Sequence, residues 1–143
     1  MDRRHALTTL VAPGALAACG ERKPQFSAVD LTGADYAKDF QLPDTEGKVR
    51  SLKDFRGKAV VVFFGFTQCP DVCPTTLAEI AQAKQLLGPD GAKVQGIFVT
   101  VDPERDTPEV LKAYMANFGP DFIALRGSPV QLAAVAKDFK VYY

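Results

Sequence analysis

The chain has 143 residues, a length that suits one domain, and 47% of them are hydrophobic while 24% are charged, as in ordinary globular folds. Its 17 basic residues are balanced by 17 acidic ones. This balance leaves no basic field that would hold nucleic acid or an anionic membrane surface, so we expect neither as a partner. No small-molecule substrate is evident either.

The start of the chain has the pattern of a bacterial export signal. Two arginines precede an apolar run of 13 residues from Ala6 to Ala18. Such a run is too short to cross about 30 Å of hydrocarbon as a helix, but it suits a signal peptide. It ends L-A-A-C, which resembles a lipobox, where cleavage leaves a lipid-carrying cysteine, here Cys19. We predict a lipoprotein-type signal peptide over residues 1–18; a plain anchor, a disordered leader and twin-arginine export are the alternatives.

This prediction determines which groups remain for chemistry. The mature chain would begin with a polar tether over 19–38, which lifts a domain at 39–143 off the membrane. The only histidine, His5, would leave with the signal peptide. Cys69 and Cys73 would then be the free thiols, in a compartment outside the cytoplasm where a pair can form a disulfide. The expected location is the periplasmic face of a bacterial inner membrane.

Strands are indicated at four places along the domain. A β-hairpin is predicted around the turn-like segment P-D-T-E-G at 43–47. Two continuous apolar runs follow, A-V-V-V-F-F-G-F at 59–66 and K-V-Q-G-I-F-V-T-V at 93–101. Such runs are typical of strands buried on both faces of an α/β sheet. A shorter strand is predicted at 121–125.

Two of the helices between these strands carry apolar residues at i, i+3, i+4 and i+7, which form one stripe that packs on a sheet. These residues are Leu111, Tyr114, Met115 and Phe118, then Leu132, Val135, Ala136 and Phe139. Thr107 and Ser128 each precede a proline and are the expected N-caps. The order, a hairpin followed by β-α-β-α-β-α, predicts a mainly parallel sheet with helices on both faces.

The segment C-P-D-V-C-P directly follows the first buried strand, at the edge where open α/β sheets place ligand sites. Pro74 is expected to open a third helix, which would make Cys73 its N-cap. A thiolate there would accept backbone N–H bonds and meet the positive end of the helix dipole. We therefore expect a lowered pKa and high reactivity for Cys73.

Several kinds of site use two cysteines. Soft thiolates select Cu(I), whereas zinc needs three or four protein ligands. Three residues separate Cys69 from Cys73, one more than in the usual redox pair, so the turn at Pro70 permits either a ligand pair or a disulfide. A peroxiredoxin would need threonine three residues before its reactive cysteine, but Phe66 and Pro70 stand there. An inert disulfide or two buried thiols is the remaining alternative.

The segment F-F-G-F-T-Q-C-P-D-V-C-P-T-T-L at 63–77 resembles the signature of the Sco/SenC family. The segments G-K-V-R-S-L-K-D-F-R-G-K at 47–58 and V-T-V-D-P-E-R-D-T-P at 99–108 are also similar to that family. The resemblance covers 39–143. It implies a thioredoxin-like fold, copper binding, and maturation of the dinuclear copper centre of cytochrome c oxidase, with the copper-bearing subunit as partner.

The same resemblance implies roles for particular residues. Cys69 and Cys73 match the copper ligands of the family, and Asp102 matches an acidic residue of the family motif that begins the next loop. Because that loop also starts at the carboxyl end of a strand, two roles are open for Asp102: a position near the copper, or a turn and capping residue. The third ligand of the family is a histidine in a D-H-S-like segment. This chain stops at Tyr143 before such a segment, so we expect a truncated member that lacks the final strands and helix and has an exposed sheet edge.

Two functions share these thiols. The first is a copper chaperone, a transfer protein without turnover, which holds Cu(I) here and Cu(II) in a full-length form. The second is a thiol-disulfide oxidoreductase that reduces a copper-receiving or other extracytoplasmic protein, with Cys69 and Cys73 as the redox pair. A redox sensor is a third option that sequence does not separate from these.

Overall fold

The computed structural model describes residues 27–143, and the chain divides into two compact units, Met1–Gly33 and Ala34–Tyr143. The predicted signal peptide and Cys19 lie outside the described residues. In the described part of the first unit, the Asp30 carboxylate accepts hydrogen bonds from the backbone N–H and the hydroxyl of Thr32, at 2.9 and 2.6 Å. Within 27–143, no helix combines the length and apolar character that crossing a membrane requires.

The second unit contains five strands and three α-helices. The strands are β1 (Leu42–Pro43), β2 (Val49–Arg50), β3 (Ala59–Gly65), β4 (Val94–Thr100) and β5 (Ile123–Leu125). The helices are α1 (Val72–Leu86), α2 (Pro108–Met115) and α3 (Pro129–Phe139). Short 3-10 helices at Leu52–Phe55 and Gly88–Lys93 complete the set. The predicted order, a hairpin followed by β-α-β-α-β-α, is confirmed.

The sheet is parallel, as predicted, with β4 between β3 and β5. Residues of β3 and β4 pair from Ala59 with Val94 to Gly65 with Thr100. The antiparallel hairpin β1–β2 joins the sheet beside β5, through a bridge between Asp44 and Leu125. All three parallel strands therefore end at one edge, which is where the helices begin.

Burial differs sharply between the two long strands. The prediction of burial on both faces is right for β4, where Gln95 to Thr100 are buried. It is wrong for β3, where Ala59 and Val61 are exposed and Val60 and Val62 are half-buried. The reason is position: β4 is central, whereas the outer edge of β3 has no partner strand within 27–143. This is the exposed edge that we predicted.

Helices cover both faces of the sheet, and alternate residues of β4 point to opposite faces. Ile97 and Val99 belong to a cluster that includes the hairpin and α3, with Phe40, Leu42, Phe55, Leu125, Leu132 and Val135. Phe98 belongs to the cluster under α1 and α2, with Leu77, Leu111, Met115, Phe122 and Ala124. The two predicted stripes are confirmed as core, although α2 ends before Phe118.

The predicted N-caps of α2 and α3 are confirmed. The Thr107 hydroxyl accepts the N–H of Val110 at 3.3 Å, and the Ser128 hydroxyl accepts the N–H of Gln131 at 3.3 Å. Each cap satisfies a helix-end donor that has no intrahelical acceptor. Both helices are thereby fixed where they leave the carboxyl edge of the sheet.

Candidate functional site

The cysteine loop, residues 66–71, connects the end of β3 to the start of α1; it carries Cys69, and Cys73 lies in the first turn of the helix. Both Cys69 and Cys73 are free thiols; Cys69 is half-buried, and Cys73 is only 5% exposed. The backbone N–H of Cys69 donates to the carbonyl of Phe66 at 3.2 Å, which closes a turn. The backbone N–H of Cys73 then donates to Cys69 Sγ at 3.4 Å. The structure thus brings the two predicted residues together.

Cys73 is not the N-cap of α1, so that prediction is wrong. The N-cap is Asp71, and Cys73 is the second helical residue, with Pro74 the third. Proline is accepted in the first helical turn because the N–H it lacks would have no intrahelical partner there. A proline therefore does not by itself place the cap. The Asp71 side chain makes no capping bond, and Cys69 Sγ accepts a first-turn N–H instead.

The two thiols differ in acidity, in the opposite sense to the prediction. Hydrogen bonds from the thiol and the backbone N–H of Cys73, with further help from the N–H groups of Asp71 and Val72, lower the pKa of Cys69. Burial raises the pKa of Cys73, and its hydrogen bond to Cys69 adds to this rise. The helix start does lower the pKa of a thiol, as expected, but that thiol is Cys69, because the Cys69 sulfur faces the free N–H groups.

Gly65, the last residue of β3, leaves room for the buried sulfur. A Cβ at this position would lie 2.9 Å from Cys73 Sγ, 3.0 Å from Phe98 Cε2 and 3.1 Å from Phe63 Cε1. Real Cβ atoms essentially never show the distance to Cys73 Sγ, and the distances to the two rings are tighter than nine in ten real Cβ contacts. A larger residue than glycine would therefore force the first turn of α1 or the neighbouring rings to shift.

A buried carboxylate that the sequence reasoning did not single out lies beside the loop. Asp106 is 1% exposed, and it accepts hydrogen bonds from the backbone N–H of Thr67 at 3.1 Å and from the Thr67 hydroxyl at 2.5 Å. The Thr100 hydroxyl, at the end of β4, donates to the same carboxylate. Asp106 directly precedes the capping residue Thr107, so its sequence position looks like a solvated turn. The signal that the sequence offered for this contact was an acidic residue in the loop after β4, together with threonines near the ends of β3 and β4.

Asp102 lies in the loop after β4, and its polar groups bind neighbouring residues of the chain. Its carboxylate pairs with the guanidinium of Arg105. Its carbonyl accepts the N–H of Asp106 at 3.0 Å, and its own N–H donates to the Thr100 hydroxyl at 3.0 Å. These contacts support the turn role, and a position near copper stays a prediction.

Tyr114 is a further buried polar group near the thiols. Its hydroxyl is buried and has no hydrogen-bond partner in the described part of the chain. Its ring packs against Phe98, with centroids 5.8 Å apart, and Phe98 also reaches the space above Gly65 where Cys73 Sγ lies. Burial raises the pKa of Tyr114, and negative charge on Cys73, Cys69 and Asp106 would raise it further.

The donor set of this site consists of the two sulfurs. Between residues 27 and 143, no group of three or more histidine, cysteine, aspartate or glutamate side chains is arranged to hold a metal ion. Two thiolates suit the soft ion Cu(I), whereas zinc sites use three or four protein ligands. The residues present therefore fit Cu(I) and fit zinc poorly.

Comparison with known proteins gives a consistent result. The family described as SCO1/SenC matches residues 29–143. The SCO2-like protein RP587 of Rickettsia prowazekii is 44% identical over 104 residues, which are 73% of this chain and 51% of that protein. The chain thus spans about half the length of this curated relative.

Solved structures share the fold. ScoI of Bradyrhizobium japonicum, with copper bound, is 46% identical with a TM-score of 0.67, covering 73% of this chain and 66% of that one. A SCO1/SenC family lipoprotein of Bacillus anthracis is 32% identical, with a TM-score of 0.63 and coverage of 73% and 66%. BsSco, described as having a disulfide switch and as one of the Sco family of cytochrome c oxidase assembly proteins, is 28% identical, with a TM-score of 0.63 and coverage of 76% and 66%. The α/β fold is therefore the thioredoxin-like fold that the resemblance implied.

Proposed function

Because this chain belongs to the SCO1/SenC family, we propose that it binds copper through Cys69 and Cys73 and delivers it to the copper-bearing subunit of cytochrome c oxidase. One observation carries this proposal: two free thiols meet at the carboxyl end of β3, with the N–H of Cys73 3.4 Å from Cys69 Sγ. The copper bound to the ScoI relative and the oxidase-assembly role named for the BsSco family support the choice of cargo and recipient.

The difference in acidity and burial between the two thiols assigns each sulfur a different role in copper transfer. The half-buried Cys69, whose pKa is lowered, is the sulfur that ionises first and meets an incoming or departing ion. Cys73 is buried and its pKa is raised, so it holds its proton until the ion arrives. Copper is the cargo in this scheme, and the chain supplies two sulfurs and the fixed turn between them.

A second function, reduction of a disulfide in a target protein, is favoured by the same difference. The Cys69 thiolate would attack one sulfur of the target disulfide and form a mixed disulfide. Cys73 would then lose its proton and attack Cys69 Sγ, which breaks the bond to the target; this leaves a Cys69–Cys73 disulfide, and the two target thiolates released in these steps take up protons to become thiols. The target gains the two electrons that the cysteine pair loses.

One experiment separates the two functions. Two mixtures are prepared under anaerobic conditions: the chain loaded with Cu(I) is mixed with the metal-free, reduced soluble domain of the oxidase subunit, and the reduced, copper-free chain is mixed with the same domain in which the cysteines are oxidised. Copper in the metal-free domain after separation supports delivery. If copper stays on the chain while the oxidised domain gains thiols, the protein is the reductase and our first proposal is wrong.

The cellular location of the protein is proposed from its sequence. We infer that residues 1–18 are a signal peptide and that a lipid on Cys19 anchors the domain outside the cytoplasm. The lipoprotein relative supports this inference. Expression in a bacterium should give a membrane-bound product whose mass includes lipid at Cys19, and Cys19→Ala should remove that mass. A product with residue 1 intact and no lipid would contradict the inference.

A further inference from the structure

The Asp106 carboxylate is not used by the proposed copper chemistry, yet it is among the most buried side chains of the described residues, at 1% exposure. A buried carboxylate costs free energy unless hydrogen-bond donors compensate for lost water. Here the donors are the N–H and hydroxyl of Thr67 and the hydroxyl of Thr100. The group is therefore held at one place by two different parts of the fold.

The Thr67 contacts matter because of where Thr67 lies. It is in the cysteine loop, two residues before Cys69, while Asp106 is 39 positions further along the chain. The other hydrogen bonds of this loop within the described residues are local: the N–H of Cys69 donates to Phe66 within the turn, and further bonds join the loop to the first residues of α1. Among the described residues, Asp106 is thus the loop's hydrogen-bonded tether to a distant segment.

We propose that Asp106 is a positioning residue, which holds the cysteine loop through Thr67 and so keeps Cys69 Sγ beside Cys73. The proposal rests on the thiol pair of the proposed function and concerns how that pair is kept in place. Asp106 touches neither cargo nor partner in this account. It acts on the sulfurs through Thr67 alone.

The expected consequence is a change in the effective concentration of one thiol at the other. Cys73 is fixed in α1, whereas Cys69 lies on the loop. Without the tether the loop samples more conformations, so the two sulfurs meet less often. Formation of the Cys69–Cys73 disulfide and chelation of Cu(I) by both sulfurs should weaken together, each by about tenfold, the size expected for a hydrogen bond to a charged group.

The test compares four variants of the full chain in a Cys19→Ser background, where Cys69 and Cys73 are the only thiols. Thr67→Val removes the hydroxyl but keeps the β-branched shape, and Thr67→Ser restores the hydroxyl. Asp106→Asn keeps the size but leaves one acceptor oxygen. Ser128→Ala is the control: it removes a helix cap far along the chain from the loop, and the loss of that cap should lower the free energy of unfolding about as much as the loss of the Thr67 contact.

The measurement is the equilibrium with glutathione at one fixed pH. Oxidised glutathione takes two electrons and two protons from the cysteine pair, giving one Cys69–Cys73 disulfide and two molecules of reduced glutathione. We expect the equilibrium constant to fall about tenfold in Thr67→Val and in Asp106→Asn, and to stay at the unmodified value in Thr67→Ser and Ser128→Ala. The Cu(I) affinity, from competition with a chelator, should follow the same order.

Two results would overturn the proposal. One is an unchanged constant in Thr67→Val, which would show that the tether does not position the sulfurs. The other is an equal fall in Ser128→Ala, which would show a general effect of lost stability. The glutathione measurement contains no copper. It therefore tests the positioning role independently of the proposed function, even if the chain fails to bind copper.

Discussion

The three helices that leave the carboxyl edge of the sheet begin in two different ways. At α2 and α3 a hydroxyl side chain at the N-cap, Thr107 or Ser128, accepts a first-turn N–H. At α1 the N-cap Asp71 makes no side-chain capping bond, and Cys69 Sγ accepts the N–H of Cys73. Conventional caps fix structure, whereas the sulfur is free to exchange its N–H contact for a metal or another sulfur. The proposed copper site therefore lies at the helix start that lacks a conventional cap.

Gly65→Ala tests the packing that this unusual start requires, and it should have the largest effect. The new Cβ would meet Cys73 Sγ and two aromatic rings at 2.9 to 3.1 Å. We expect the free energy of unfolding to fall by about 2 kcal/mol, as for overpacked cores, measured by urea denaturation. Gly47→Ala is the control, because strain there comes from a φ of +81° with no atom nearby. If both variants bind Cu(I) equally well, the contact at Gly65 does not support the site.

Selective alkylation tests which of the two thiols has its pKa lowered by the N–H groups at the start of α1. Because the pKa of Cys69 is lowered while that of Cys73 is raised, Cys69 carries more thiolate at any pH below both values. As the pH rises toward the ordinary cysteine value of about 8.5, Cys69 should react with iodoacetamide first. Its greater exposure acts in the same direction. Peptide mass spectrometry measures the ratio, and faster labelling of Cys73 would reverse our assignment.

Removing the conventional caps sharpens the contrast between the helices. Ser128→Ala and Thr107→Ala should each lower the free energy of unfolding by about 1 kcal/mol, because each leaves a helix-end N–H without its acceptor. Neither variant should change the Cu(I) affinity. Cys69→Ala should do the opposite, with a small loss of stability and a large loss of copper binding. A cap variant that loses copper would show that structure and chemistry are not divided between the helix starts as we describe.

Tyr114→Phe should have the smallest effect. The hydroxyl it removes is buried and has no partner in the described part of the chain. Deleting such a group removes a desolvation cost, so we expect the free energy of unfolding to stay equal or rise by up to about 1 kcal/mol. Urea denaturation measures this. A clear loss of stability would mean that the hydroxyl has a hydrogen-bond partner in solution.

Much of the fold could be predicted because its signals are local. The apolar runs marked β3 and β4, and the Thr-Pro and Ser-Pro pairs marked the starts of α2 and α3. An exposed sheet edge was expected, but β3 was not recognised as the strand that forms it, because an apolar run does not reveal how many neighbours a strand has. The start of α1 was misplaced because Pro74 is tolerated at the third helical position as well as the first.

The candidate site was predicted in its sulfurs but not in its surroundings. Cys69 and Cys73 are marked by residue type and spacing, whereas the roles of Thr67 and Asp106 depend on contacts across 39 positions. The order of thiol acidity was reversed because it depends on which sulfur faces the free N–H groups. That orientation is set by the turn between Phe66 and Cys69, which the sequence pattern does not specify.

The central claim is that Cys69 and Cys73 together hold one copper ion, and anaerobic Cu(I) titration against a competing chelator tests it most directly. Reduced chain in the Cys19→Ser background should bind about one Cu(I), since two adjacent thiolates form a soft site. Cys69→Ser and Cys73→Ser should each lose tight binding, because one sulfur remains, while Ser128→Ala should bind as the unmodified chain does. Retention of tight, equal Cu(I) binding in either cysteine variant would contradict the account.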